Sequence, residues 1–330
     1  MNEDNTARVS VIIPAYNAEH FLQRAVASAV IQGSIIREII IVENNSTDNT
    51  KGEINRLCSV YGKLIIPARC TVQGPAAARN HGIGLARGEW LQFLDADDYL
   101  YEGKILRQLS LLSHDTRWVS GVSDVVKDGE ITETFALEED AWRGLLFCRG
   151  LGDTNANLFH RQTIIELKGY DDLVVGEDYH LYFKLLRAGK PFVQDTKPGS
   201  AYVQHDENRG EGRGMPERWK WRKWFVSEIE THLLSEASGF SEQPIPLLNS
   251  AKLAAIRMML TVDAKAGKAA FTELFGSEIP WSDIDHDELP VYAGLYRVFG
   301  FLAVERARVR LARIRRNMLT FLPNKNLNKR

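Results

Sequence analysis

Short apolar segments alternate with segments of helical periodicity in the N-terminal third of the chain, and this alternation limits the folds open to it. The apolar segments span residues 9–13, 37–42, 63–67 and 90–94. Their length and their β-branched and aromatic residues predict buried strands. Helices are predicted between them, the first capped by Asn17 and a later one at 74–88. Such alternation builds βαβ units, so we expect a Rossmann-like α/β fold with a mixed, mostly parallel sheet flanked by helices.

The pattern changes at a glycine-rich stretch, residues 207–216, beyond which the periodicity is helical throughout. We therefore expect two domains: residues 1–210, and an α-helical C-terminal region of residues 211–330. With 44% hydrophobic and 25% charged residues, the composition is that of an ordinary globular protein.

Three features of the sequence predict a cytoplasmic protein. The sequence has no run of about 18 apolar residues, so no membrane-spanning helix is expected. Its first ten residues are polar and acidic, unlike a secretory signal. The three cysteines, Cys58, Cys70 and Cys148, are scattered, which is typical of a reducing compartment.

Positive charge is concentrated at the C-terminal end. Residues 297–330 contain ten Lys or Arg residues and one acid, Glu305, for a net charge of +9, whereas the whole chain carries −2. Within 304–321, apolar residues recur at spacings of three and four, which predicts an amphipathic helix. A basic amphipathic helix is typical of proteins that bind an anionic membrane surface. The sequence therefore predicts that residues 304–330 contact the inner face of the cytoplasmic membrane.

Two other interpretations of this basic helix stay open. It is also compatible with docking on the acidic remainder of the chain, or with the seam of a homodimer. Nucleic acid is not an expected partner.

Polar residues follow each predicted strand, where ligands bind in open α/β sheets. They occupy residues 14–17, 43–45, 73–75 and 95–98. Because the carboxyl ends of parallel strands lie at one edge of a sheet, we expect these segments to line one crevice.

The glycine pattern excludes two familiar nucleotide-binding classes. The nearest candidate, Gly82 to Gly88, places its third glycine one position late for a GxGxxG motif. It also follows a helix and precedes a strand, the reverse of what pyrophosphate binding requires. The sequence contains no GxxxxGK[ST] segment, so neither a Rossmann dehydrogenase nor a P-loop enzyme is expected.

The carboxylates after the fourth strand form a DxD triplet of Asp95, Ala96 and Asp97, followed by Asp98. Mg²⁺ and Mn²⁺ prefer oxygen ligands and usually bind one or two carboxylates together with substrate phosphates. In an extended segment Asp95 and Asp97 would share a face and Asp98 would point away. The triplet alone leaves another interpretation open, a solvated turn or a cap by Asp97 or Asp98 on a helix at 101–112.

Four segments in fixed order resemble the family 2 glycosyltransferases with the GT-A fold. They are VSVIIPAYN, IIIVENNSTDNT, QGPAAARNHGIGLARGEWLQFLDADD and GYDDLVVGEDYHLYFKLLRAG. The resemblance covers roughly residues 8–205. It implies an inverting transfer of a sugar from a nucleotide donor, most commonly UDP-linked, with Mn²⁺ or Mg²⁺. The implied acceptor is a saccharide or lipid-linked saccharide.

The resemblance also implies roles for individual residues. Donor-binding positions are Pro14, Ala15, Tyr16, Glu43, Asn45, Gln73, Arg79, Asp95, Ala96 and Asp97. Asp97, Asp95 and His205 are the implied metal ligands. Glu43 stands where the family usually has an aspartate that contacts the base, and Asn44 replaces a second usual aspartate.

The implied catalytic base is Asp178, with Glu177 as the second candidate. A base is needed because the attacking hydroxyl must lose its proton. Both acids also suit the N-terminus of a helix, independently of any catalytic role. The alternative to an enzyme is a non-catalytic nucleotide-sugar-binding or scaffold protein on the same fold.

Overall fold

The computed structural model describes residues 8–205, 215–235, 245–279, 281, 284–285, 295–296, 298 and 300–320. The chain divides into two compact units, residues 1–210 and 211–330. The glycine-rich stretch at which the sequence predicts a boundary lies largely outside the described residues.

The first unit is an α/β layer structure, as the sequence predicts. Its strands are β1 (Val9–Ala15), β2 (Ile36–Glu43), β3 (Ile65–Arg69), β4 (Trp90–Phe93), β5 (Tyr99–Leu100), β6 (Trp118–Lys127), β7 (Glu130–Thr134), β8 (Leu158–His160) and β9 (Phe192–Gln204). Its helices are α1 (Leu22–Val30), α2 (Thr50–Tyr61), α3 (Pro75–Leu85), α4 (Lys104–Ser110), α5 (Ala141–Phe147), α6 (Arg161–Glu166) and α7 (Glu177–Arg187).

The strands of the described residues form a single mixed sheet. Its order is β3-β2-β1-β4-β8-β6-β9-β5, and β7 pairs with β6. The strands β3, β2, β1 and β4 are parallel, whereas β8 is antiparallel to both of its neighbours. The parallel part is the part predicted from the alternating sequence pattern.

Register in the parallel part brings the strand ends to one edge. Ala15 pairs with Glu43, which in turn pairs with Arg69, and Ile12 pairs with Phe93. The apolar side chains of β1 and β2 are buried between the helical layers. Burial of this apolar surface stabilises the sheet. Because β1, β2 and β4 are parallel, the segments that follow them lie side by side.

One local prediction and one alternative interpretation were wrong, both at helix N-termini. Asn17 does not cap α1, which begins at Leu22; Asn17 adopts φ 48° and accepts a hydrogen bond from the Thr47 backbone N–H at 2.8 Å. Neither Asp97 nor Asp98 caps a helix, because α4 begins at Lys104 with Gly103 at its N-cap. The capping interpretation of the DxD triplet therefore fails.

The second unit is helical over its described residues, as predicted. It comprises α8 (Met215–Leu233), α9 (Ile245–Val262), α10 (Ala264–Phe275) and α11 (Phe301–Thr320). Side chains of α9, α10 and α11 share one apolar core.

The N-terminal end of α11 is anchored in this core. Phe301 and Val304 pack among its apolar side chains. Glu305 is fully buried and accepts hydrogen bonds from Arg257 at 3.1 Å and Arg308 at 2.6 Å. The single acid of the basic segment is thus paired internally.

Of the described helices, α9 alone is long and apolar enough to cross a membrane by length and composition. However, 44% of it is buried inside the protein. Its two charged residues pair with neighbouring helices, Lys252 with Glu230 at 2.5 Å and Arg257 with Glu305 at 3.1 Å. These are features of a core helix, so α9 is weak evidence for a membrane span.

Candidate active site

A buried arginine on α3 joins three carboxylates from distant parts of the chain. Arg79 contacts Asp95 Oδ1 at 2.8 Å, Glu177 Oε1 at 3.2 Å and Asp178 Oδ1 at 3.7 Å. A buried guanidinium is tolerated only with such partners. Arg79 therefore ties the end of β4 to the start of α7.

Close packing of α3 on the sheet fixes the position of this arginine. A Cβ atom added at Gly82 would lie 2.4 Å from Ile12 Cγ2, so a larger residue would push the helix away from β1. The small residues of the segment PAAARNHGIGL thus bring Arg79 to the edge of the sheet.

The DxD segment forms a turn and not an extended strand, since the Asp98 N–H donates to the Asp95 carbonyl at 3.1 Å. Within the turn, Asp95 and Asp97 are 33% and 38% exposed, and Ala96 between them is buried. This turn replaces the extended segment in which Asp98 was expected to point away from Asp95 and Asp97, although Asp98 is buried and points into the interior. Two of its oxygen atoms accept hydrogen bonds from Asn155 Nδ2 and the Val203 N–H, each at 2.7 Å.

Burial raises the pKa of Asp98 to about 8, and the neighbouring carboxylates Asp95 and Asp97 add to this effect. Asp98 braces the turn from the interior through its two hydrogen bonds. Asp95 and Asp97, by contrast, lie partly exposed at the surface of the turn.

The two acids at the start of α7 occupy its first turn, after Gly176 in a left-handed conformation at φ 77°. Burial raises the pKa of Asp178 to about 7, and neighbouring Glu177 acts in the same direction, while Arg79 opposes both. Asp178 is consequently poised to exchange a proton near neutral pH.

His205 follows β9 and lies beside the DxD turn. Its Nε2 is 3.9 Å from Asp97 Oδ2, and its ring packs on Phe21 at a centroid distance of 4.6 Å. Nε2 is buried and has no hydrogen-bond partner within the described chain. Arg24 Nη2 donates to the Asp97 carbonyl at 2.5 Å and holds the turn from the side of α1.

The remaining donor-site candidates gather at the ends of β1, β2 and β3. Pro14 and Ala15 are the last residues of β1, and Tyr16 after them is 53% exposed. Glu43 is buried at the end of β2, where its Oε1 accepts from the Ser46 N–H at 2.6 Å.

The loop after β3 is held by the two asparagines that follow Glu43. Asn44 donates to the carbonyls of Cys70 and Val72 and accepts from the Gly74 N–H. Asn45 reaches Gln73 Oε1 at 3.3 Å. The asparagine at 44 thus supports the loop, in the position where the resembled family usually has an aspartate.

The sequence assigned no role to two neighbours of these groups. Thr154 Oγ1 donates to Asp178 Oδ2 at 2.6 Å, and Asn155 Oδ1 accepts from the Asp95 N–H at 2.8 Å. Both belong to the segment between α5 and β8, in which the position along the chain suggests nearness to the acceptor for Asn155 but no motif assigns a role to either residue.

Known proteins resemble this chain in both sequence and structure. The family model described as glycosyl transferase family 2 matches residues 10–166. The UDP-Glc:alpha-D-GlcNAc-diphosphoundecaprenol beta-1,3-glucosyltransferase WfaP of Escherichia coli is 30% identical over 188 residues, which cover 55% of this chain and 71% of WfaP. The chain belongs to glycosyl transferase family 2. Coverage is smaller for an uncharacterized glycosyltransferase of Haemophilus influenzae, of which the chain spans 43% at 35% identity.

Solved structures share the fold of this chain. The S. aureus TarS structure with UDP-GlcNAc matches with a TM-score of 0.59 at 16% identity, covering 81% of this chain and 76% of that one. The Pyrobaculum calidifontis mannosyltransferase PcManGT, in complex with GDP-Man and Mn²⁺, matches with a TM-score of 0.56 at 18% identity, covering 94% and 88%. At such identities these matches show the fold alone, and they confirm the predicted GT-A class.

Proposed function

We propose that this glycosyltransferase moves a sugar, with inversion, from a UDP-sugar to a hydroxyl of a saccharide or lipid-linked saccharide. The observation that carries the proposal is the Arg79 cluster. It joins the DxD turn and the candidate base Asp178 to one guanidinium, Asp95 through Nη2 and Asp178 through Nη1. Such an arrangement would hold a donor diphosphate beside the DxD turn and an acceptor hydroxyl beside Asp178.

Residues at the ends of the first three strands would bind the nucleotide. Tyr16 offers an exposed ring, and Pro14 and Ala15 shape the wall beneath it. Glu43 offers a buried carboxylate for a base N–H. Asn45 and Gln73, already in contact, would close the pocket from the β3 side.

The residues beside the DxD turn fit a divalent cation. Asp97 offers a carboxylate, and His205 offers a buried Nε2 without a partner within the described chain. Among the described residues no three acidic, His or Cys side chains gather as a ready cage. A donor set completed by substrate phosphates is how Mg²⁺ and Mn²⁺ are usually held. When bound, the cation supplies charge stabilisation for the departing diphosphate.

Asp95 has a different place in this arrangement. Its Oδ1 is occupied by Arg79, so its second oxygen is the one available to the ribose or the cation. Ala96 keeps the turn small between the two aspartates.

Asp178 would act as general base. The acceptor oxygen forms its bond to the anomeric carbon from the face opposite the diphosphate, the carbon–diphosphate bond breaks, and the bonding electrons leave with the diphosphate. Asp178 takes the proton of the hydroxyl. Glu177, bound more closely by Arg79, is the second candidate and would chiefly hold the arginine.

A nucleotide panel tests the donor site. We expect UDP with Mn²⁺ to raise the melting temperature by a few degrees, because ligand at about 100 times its Kd adds about 2.7 kcal/mol. Asp97→Asn should lose the metal-dependent part of the shift. Asp115→Asn, an exposed acid after α4, is the matched control and should keep it.

Two results of the panel would contradict this site. One is a UDP shift of equal size with and without Mn²⁺ that survives Asp97→Asn. The other is no shift with UDP, dTDP, GDP or ADP, which would favour the non-catalytic scaffold alternative.

The described part of α11 favours contact with an anionic membrane surface over burial of its whole length. Arg306 and Arg310 are exposed, and Leu311 is 66% exposed. The acceptor named for WfaP is a diphosphoundecaprenol-linked sugar, which suits a peripheral position on the inner face of the cytoplasmic membrane. A homodimer seam along the same helix is the competing proposal.

Vesicle binding separates these two proposals. Neutralising two surface arginines, Arg306→Gln with Arg310→Gln, should weaken binding to anionic vesicles about 30-fold, since each nearby charge contributes about 1 kcal/mol. Lys265→Gln with Lys268→Gln on α10 removes the same charge elsewhere and should change binding little. Vesicle flotation at low salt measures both. A chain that does not bind vesicles but sediments as a dimer through α11 would overturn the membrane proposal.

A further inference from the structure

We propose that Thr154 is a positioning residue for the transfer reaction: it holds Asp178 by the oxygen that faces the acceptor. This inference rests on the proposed function, in which Asp178 is the base. It assigns a role to a residue that carries no motif and that lies 24 positions from Asp178 in sequence.

The contact is short and buried. Thr154 is 3% exposed, and its hydroxyl donates to Asp178 Oδ2 at 2.6 Å. A β-branched side chain has few rotamers, so a buried threonine directs its hydroxyl more firmly than a serine does. The hydrogen bond therefore limits the orientations of the Asp178 carboxylate.

The main chain around Thr154 is itself anchored. The preceding residue, Asp153, accepts hydrogen bonds from Ser123 on β6 at 2.9 Å and from the Ala156 N–H at 2.8 Å. The following residue, Asn155, bridges the Asp95 N–H and the Asp98 carboxylate. Thr154 thus holds the candidate base, and its neighbour Asn155 holds the DxD turn.

The two oxygens of Asp178 differ in access. The side chain is 26% exposed, but Oδ1 is buried and lies 3.7 Å from Arg79 Nη1. The oxygen that an acceptor can approach is therefore Oδ2. One of its lone pairs takes the Thr154 hydroxyl, and the other is left to receive the acceptor proton.

A hydrogen bond from a neutral hydroxyl stabilises the ionised carboxylate. The Thr154 hydroxyl accordingly lowers the pKa of Asp178 against the larger opposite effect of burial. The charged and titratable groups facing Asp178 come from several elements: Arg79 on α3, Asp95 after β4, Tyr170 before α7, and Glu177 and Tyr182 on α7. Replacing Thr154 leaves all of these in place, so its own contribution can be measured.

The test is the pH profile of kcat and KM for sugar transfer by the full chain. Thr154→Val keeps the side-chain shape and removes the donor. We expect the acid limb of kcat to move up by about one pH unit, equivalent to a tenfold loss below the limb. At pH values above the limb the loss should be small, and KM for the donor should not change. Thr154→Ser, which keeps the hydroxyl donor, should shift the acid limb of kcat less than Thr154→Val does.

A purely structural role predicts a different pattern. Equal loss at every pH, an unshifted limb, or a serine variant no better than valine would overturn the inference. Thr154→Cys, a weaker donor of similar size, gives the intermediate shift if valine prevents folding. If the wild-type protein transfers no sugar, the proposed function fails and this inference with it; if it transfers and only the shift is missing, the positioning role alone fails.

Discussion

Asp178→Asn is expected to lower kcat for sugar transfer about 10³-fold, within the range that a general base contributes. Asparagine keeps the size of the side chain and still accepts from Thr154, but it cannot take a proton. Binding of UDP, measured by calorimetry, should not change, because in the proposed mechanism Asp178 contacts the acceptor hydroxyl and not the nucleotide. The matched control is Asp172→Asn, an exposed acid in the loop before α7, which should retain full activity.

The prediction also concerns the stability of the Asp178→Asn variant. Because the pKa of Asp178 is raised in the folded protein, its charged form destabilises the fold above the unfolded-state pKa. Removing the charge should therefore leave the melting temperature at pH 8 equal or higher, with the difference vanishing below about pH 4. In the wild type, kcat should fall with acid through an apparent pKa of about 7. A variant that keeps activity, or a wild-type profile flat from pH 5 to 9, would show that Asp178 is not the base.

Arg79→Met is expected to destabilise the protein by about 3 kcal/mol at neutral pH. The substitution leaves three carboxylates, Asp95, Glu177 and Asp178, without their shared cation, and removing one partner of a buried pair costs about 3–5 kcal/mol. The lower end applies because the carboxylates are partly exposed. Denaturant unfolding followed by circular dichroism measures the loss.

The loss should depend on pH in a defined direction. Without the arginine the carboxylates favour their neutral forms in the folded protein, so the deficit should shrink as pH falls towards 4. Arg56→Met, at an exposed pair with Glu53 on α2, is the control and should change stability within the error of measurement. An Arg79 variant as stable as this control would mean that the cluster does not hold the two halves of the site together.

The sequence predicted the parts of the fold that depend on local pattern. The strands of the parallel half were predicted because β-branched runs such as VSVII and REIIIV are too short and too apolar for anything else. The hairpin between β6 and β7 follows a local rule too, because Asp128 and Gly129 adopt the positive φ that an Asp-Gly turn favours. The predicted cap of α1 was wrong because Asn17 hydrogen-bonds to Thr47, a contact across 30 residues that outweighs its local preference.

The candidate site was likewise predicted only in part. The residues after the strands were predicted from position and from family resemblance. The contacts between them were not, because Arg79 reaches Glu177 across 98 residues and Asn155 reaches Asp95 across 60. Such contacts depend on how α3, α7 and the segment before β8 pack together. The spacing of residues along the sequence does not predict this packing.

The stereochemistry of transfer tests the central claim most directly. The wild-type protein would be incubated with Mn²⁺, methanol and either UDP-glucose or UDP-GlcNAc, both α-linked donors, and the methyl glycoside identified by NMR. A methyl glycoside does not equilibrate between anomers, so its configuration records the reaction. We expect the β-anomer, formed by the wild type and not by Asp178→Asn. An α-anomer from the wild type, or bound donor that is never consumed, would contradict it.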